Sequence, residues 1–141
     1  MSKSDRVAEL LAACGEADPG HDPHYSGYFA CFNQQLYYEA HDVLEALWLP
    51  RRRQPDGDFY KGLIQLAGAF VHLKKGRLKP AGNLFALAEA NLRRYPAVHH
   101  DFALGDALEL CARYRARLAV SDFRENPWTP ETAPRLSLSG G

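Results

Sequence analysis

The segment Tyr37-Tyr38-Glu39-Ala40-His41-Asp42-Val43-Leu44-Glu45-Ala46-Leu47-Trp48 holds the side chains best suited to chemistry. His41 and Glu45 are four residues apart and Trp48 follows three later, so on an α-helix all three project from one stripe. That stripe runs along the edge of the apolar arc Phe29, Phe32, Leu36, Ala40, Val43, Leu44 and Leu47. An imidazole and a carboxylate at this spacing can both reach one metal ion or one proton donor. Asp42 points about 100° away from them. It falls with Gln35, Glu39 and Ala46 on the side expected to be wet.

A second polar stripe, Lys61, Gln65 and His72, interrupts an otherwise apolar segment. If the two edges meet, they enclose a binding pocket of His41, Glu45, Trp48, Lys61, Gln65 and His72. His41, Glu45 and His72 then supply three metal ligands and leave one position for water, as hydrolytic zinc sites do. Lys61 would stabilise a developing anion, which makes His41, Glu45 and Lys61 the catalytic candidates. The same residues also suit a hydrogen-bonded network that fixes helix register, a strip that reaches water, or a non-catalytic ligand pocket. The remaining histidines, His21, His24, His99 and His100, fall in loops and are expected to be solvated.

These stripes need helices to carry them. Val7, Leu10, Leu11 and Cys14 predict a short first helix capped by Ser4, and residues 15–23 a loop. A long second helix is predicted from Ser26 to Leu49, stopped by Pro50. A third should run from about Asp58 to Lys75, ended by Gly76, and is apolar around most of its circumference, as a central helix is. A fourth is expected from about Pro80 to Tyr95 and a fifth from about Asp101 to Val120. Gly62, Gly68 and Gly82 interrupt helical patterns at about 1 kcal/mol each, which close approach of a neighbouring helix would offset. No alternating strand pattern stands out. The expected fold is all-α: a compact, mostly antiparallel bundle of four to five helices with an extended C-terminal tail. Its parts are an N-terminal helix and loop over 1–24, the bundle over 25–120 and the tail over 121–141.

The 141 residues suit one domain, and the composition, 46% hydrophobic and 24% charged, excludes a wholly disordered chain. The apolar runs are too short to cross a bilayer and the start does not read as a signal peptide, so no membrane partner is expected. Three scattered cysteines, Cys14, Cys31 and Cys111, make no C-x-x-C pair and fit a reducing cytoplasm. Net charge is zero, with five basic and ten acidic side chains over residues 1–58 against ten and four over 59–120. Basic clusters at Arg51–Arg53 and Lys74–Lys79 lack interleaved aromatics, and the helix dipole accounts for Lys74 and Lys75, so nucleic acid is disfavoured as a partner. Gly-rich phosphate loops and nucleophile elbows are lacking.

The run Phe32-Asn33, then Tyr38-Glu39-Ala40-His41-Asp42-Val43-Leu44-Glu45-Ala46-Leu47-Trp48, followed by Phe59-Tyr60-Lys61-Gly62-Leu63-Ile64-Gln65-Leu66-Ala67 and His72, resembles the domain of unknown function 309 family. The resemblance covers about residues 25–120. It implies a small all-helical prokaryotic protein and directs attention to His41, Glu45, Trp48, Gly62 and Gln65. It also implies a metal-dependent hydrolase as one label for the family. The chain departs from the family pattern at Asp42, where Glu is usual, which would retract a general base by one methylene.

The reading favoured here is a binding or structural module with a polar pocket between two central helices. The alternative is a metal-dependent hydrolase using His41, Glu45 and His72, with a divalent metal ion as cofactor. A homodimer through apolar surface on the first helix or the tail is a further expectation. Neither the small-molecule ligand nor a substrate can be named from sequence.

Overall fold

A computed structural model describes residues 2–14 and 20–138. Its elements are α1 (Lys3–Cys14), α2 (Pro23–Asn33), α3 (Tyr37–Trp48), a 3-10 turn (Leu49–Arg51), α4 (Gly57–Lys74), α5 (Leu78–Leu92), β1 (Val98–His99), β2 (Phe102–Ala103) and α6 (Leu104–Val120). The all-α expectation holds, with six α-helices and one small hairpin among the described residues. The predicted loop over residues 15–19, the inward side chain of Cys14, the Ser4 cap and the Gly-Gly end lie outside what is described. At the start of α1, Ser2 Oγ accepts from Asp5 N at 3.1 Å while Ser2 N donates to Asp5 Oδ2 at 3.3 Å, a reciprocal capping box.

The long helix predicted over Ser26–Leu49 is instead two, α2 and α3. Gln35 takes φ +64°, Leu36 N donates to Cys31 O at 2.9 Å, and Gln35 N donates to Phe32 O at 3.0 Å. This pair of bonds is a Schellman stop, here built on glutamine rather than glycine. The C-terminal tail holds the break. Asn33 exchanges two bonds with the Leu136 backbone, at 2.6 and 2.7 Å, and Gln35 Nε2 donates to Pro130 O at 3.0 Å. Lys74 Nζ also donates to Gln35 O at 3.2 Å. An unbroken helix would have been about 36 Å long and could not have doubled back to bury both halves. The partners that break it lie some hundred residues away in sequence, beyond the reach of a local pattern.

α4 is the central element. Buried residues occur on all its sides, from Gly57 and Phe59 to Phe70 and Leu73. Phe70 lies at its focus, fully buried. Its ring meets Phe32 of α2 at 5.4 Å, Tyr37 of α3 at 5.1 Å, Phe85 of α5 at 5.3 Å and Tyr114 of α6 at 5.0 Å. Each such ring pair adds about 0.5–1.5 kcal/mol beyond the area it buries. Tyr28 of α2, fully buried, donates its hydroxyl to Leu63 O at 2.6 Å. The tail adds a further clamp: Asn126 Nδ2 donates to Leu73 O at 2.6 Å and Trp128 Nε1 to the Tyr37 hydroxyl at 3.1 Å.

Between α5 and α6 the chain makes a hairpin not expected from sequence. Val98 pairs with Ala103 and His99 with Phe102. Two residues per strand are too few for alternation to register. His100 and Asp101 form its turn with φ +48° and +58°, the doubly left-handed conformation that two-residue hairpins favour.

The glycine interruptions do mark close approaches. A Cβ on Gly62 would lie 2.9 Å from both Cγ and Cδ2 of Leu92, so the missing side chain sets the spacing of α4 and α5. Gly105 in α6 has nothing within 4 Å of the same position. Gly62→Val is therefore expected to destabilise the protein by about 1–3 kcal/mol, whereas Gly105→Ala should raise stability by up to about 1 kcal/mol. Urea denaturation of both variants checks the opposite signs.

Candidate functional site

The edges of α3 and α4 do meet, and they enclose a cavity of about 310 Å³. His41 and Tyr38 line it from α3, and Gln65, Gly68 and His72 from α4. Lys75 and Arg77 line it from the turn after α4, and Ile64, Val71 and Leu84 supply apolar wall. Three of the six residues predicted for the pocket, His41, Gln65 and His72, thus share one enclosure. Glu45, Trp48 and Lys61 do not line it. Lys61 is exposed, Glu45 half-buried, and Trp48 packs against the core with its indole Nε1 buried and without a hydrogen-bond partner among the described residues.

His41 is half-buried, and its Nδ1 lies 3.2 Å from Asp42 Oδ1. Asp42 is not on a wet side: it is only 2% exposed and accepts from Arg6 Nη2 at 2.8 Å. α1 covers that side of α3 and brings a cation to the carboxylate. Its Val7 is buried in the same core cluster. The helical wheel placed Asp42 correctly on the side away from the apolar arc, but could not know that another helix would lie there.

Gln65 Oε1 accepts from Asn91 Nδ2 at 2.7 Å, which ties α4 to α5. The amide nitrogen is then the donor Gln65 retains. His72 Nδ1 is buried without a hydrogen-bond partner among the described residues. Burial first, and then the positive charges of Arg77 and Lys75, hold the His72 pKa below its ordinary 6.5. Neutral imidazole is the favoured form there. Gly68 contributes space: a Cβ on it would come within 3.2 Å of Leu84 Cδ1.

Arg77 reaches the cavity through the stop of α4. Gly76 adopts φ +74°, Gly76 N donates to Leu73 O at 3.0 Å, and Arg77 N donates to His72 O at 2.9 Å. This second Schellman turn folds the chain back, so that a residue five positions beyond His72 returns beside it. The helix dipole, which accounts for Lys74 and Lys75 on sequence grounds, gave no hint that Lys75 and Arg77 line the pocket. The available signal was Gly76 itself, a C-terminal stop that reverses the chain direction.

As a metal site the predicted set has no convergent geometry. Among the described residues, His41, Glu45 and His72 are not a group whose donor atoms all lie within 4.8 Å of one another.

The family model for the domain of unknown function DUF309 matches residues 25–84. Over that stretch, somewhat under half of the chain, the sequence is similar to this family. The match spans α2, α3, α4 and the first part of α5, and every residue lining the cavity lies inside it. No curated protein and no solved structure matches the chain. The DUF309 segment also contains Gly62, whose close contact with Leu92 lies just beyond the matched stretch.

The lowered His72 pKa makes stability depend on pH with a definite sign. The unfolded chain binds the proton more tightly than the folded one, so this contribution is fully present above about pH 6.5 and is lost as pH falls through 6.5 toward the folded value. His72→Gln should flatten that part of the profile. Urea midpoints from about pH 7.5 to about pH 5 test it. The wild-type midpoint should fall more steeply than that of the variant, and parallel curves would contradict the assignment.

Proposed function

We infer that this chain is a binding module for a small anionic molecule with an apolar portion, held between α3 and α4. One observation carries this reading: the cavity is lined by His41, His72, Lys75 and Arg77 and, among the described residues, by no carboxylate. Its volume of about 310 Å³ is at the lower end of small-molecule pockets, which run from roughly 300 to 1,000 Å³. Ile64, Val71 and Leu84 provide the surface that an apolar portion would cover. The unbonded Nδ1 of His72 and the remaining amide donor of Gln65 are polar groups that gain from a partner. Arg77 offers a carboxylate or phosphate the planar fork that such anions pair with.

The hydrolase alternative is favoured by one contact. Asp42 holds Nδ1 of His41 at 3.2 Å, the outer carboxylate contact that orients many metal-ligating histidines. It ranks second because Glu45 does not line the cavity and the three donors do not converge. A metal equivalent found in untagged wild-type protein and lost from a His41→Ala, His72→Ala chain would raise it to first.

The binding reading is tested by titrating the wild-type chain with hexanoate, and with hexanamide as the uncharged match, while following the ring resonances of His41 and His72. Hexanoate should give saturable shifts at both rings and hexanamide none. Arg77→Ala should weaken hexanoate by roughly tenfold, about 1.4 kcal/mol. Absence of saturation at about 10 mM, or an equal response to hexanamide, would contradict it.

A further inference from the structure

At the opposite end of α4, about 24 Å of helix rise from His72, two imidazoles converge on one carboxylate. His99 Nε2 lies 2.8 Å from Asp56 Oδ1 and His100 Nε2 lies 2.8 Å from Asp56 Oδ2. Donor atoms of the three residues all lie within 4.8 Å of one another, which among the described residues is true of no other group of three histidine, cysteine or acidic side chains. Each oxygen of Asp56 is thus addressed by a different ring.

Three features show that the arrangement is built by the fold rather than left by chance rotamers. Asp56 occupies the N-cap position of α4, where an aspartate usually accepts from the next backbone N–H groups, yet its side chain makes no cap bond. Its carboxylate is turned to the hairpin instead. His100 and its neighbour Asp101 are both left-handed, a conformation uncommon for residues other than glycine, although His and Asp tolerate it better than most. The two rings are also fixed by packing. His99 meets Phe59 edge-on at 4.8 Å, His100 lies parallel to Tyr60 within 3°, and the Tyr25 hydroxyl holds the His100 carbonyl at 2.9 Å.

We propose that Asp56, His99 and His100 form a binding site for a first-row divalent transition metal ion of the zinc class. Two imidazole nitrogens and one carboxylate oxygen are a donor set that zinc uses with three protein ligands and one open position. Tetrahedral bonds of about 2.0–2.1 Å put donors roughly 3.3 Å apart, so the 2.8 Å pairs open slightly and the wider ones close by about an ångström or so. Rotation of the Asp56 carboxylate, which no cap bond holds, supplies that movement. His99 and Asp56 are half-buried and His100 is exposed, which leaves the remaining coordination position on the solvent side. Metal binding would replace the two ring–carboxylate contacts and clamp the hairpin to the start of α4. The site is independent of the anion pocket: His99 and His100 lie outside the DUF309 match, and no residue is shared.

The test uses the full, untagged chain stripped with chelator. Cobalt(II) titration should produce the visible d–d absorption of a tetrahedral or five-coordinate site, saturating at one ion per chain, and zinc should bleach it by displacement. Asp56→Asn and His100→Asn should each weaken binding at least roughly tenfold, the loss that removal of even an outer contact causes. Asparagine keeps the left-handed turn at position 100 available, and circular dichroism establishes that each variant is folded. His41→Ala, His72→Ala must bind cobalt as the wild type does. Absence of stoichiometric binding by the wild type would overturn the proposal. So would binding that survives both site variants, or binding that is lost with His41 and His72 instead.

Discussion

The burial of α4 on all sides is the constraint from which the rest follows. A helix that is apolar around its circumference has to be wrapped, and Phe70 shows how completely: its ring touches rings from α2, α3, α5 and α6. Polar side chains can then survive on this helix only where the wrapping leaves a seam or stops. Gln65 and His72 lie at the seam with α3 and α5, and Asp56 lies where the wrapping begins. The position of chemistry in this protein is therefore a consequence of how its most hydrophobic helix is covered.

The two ends of α4 differ in charge in the sense that the helix dipole favours. Asp56 and Asp58 stand at its start, and Lys74, Lys75 and Arg77 follow its end. Some of the asymmetry between the acidic first part of the chain and the basic second part is cancelled by contact. Asp58 pairs with Arg94. Lys75 and Arg77 are turned instead to the cavity, where they add to the effect of burial in holding the His72 pKa down and leave a positive rim. Glu89, buried like Asp42, is engaged by Arg115 across the seam of α5 and α6.

Periodicity was enough to foresee the helical class, the central place of α4 and the meeting of His41, Gln65 and His72. These depend on which side of a helix is apolar, and that is written locally. What escaped depended on distant partners. The break between α2 and α3 rests on Gln35, Asn33 and a tail that returns from residues 130–136. Asp42 became buried because α1 lies over it with Arg6. Glu45 and Trp48, though on the same stripe as His41, lie further along α3 and off the lining of the cavity. His99 and His100 looked solvated because a hairpin of two residues per strand has no periodic signature, and their partner Asp56 lies more than forty residues earlier.

The proposed anion receptor is built jointly by α3, α4 and the turn after α4. A crystal structure of the chain grown with excess hexanoate tests it most directly. The expected result is a carboxylate bonded to Arg77 and within reach of His72, its alkyl chain against Ile64, Val71 and Leu84. A cavity closed by its own side chains, or hexanoate bound only at the outer surface, would contradict it.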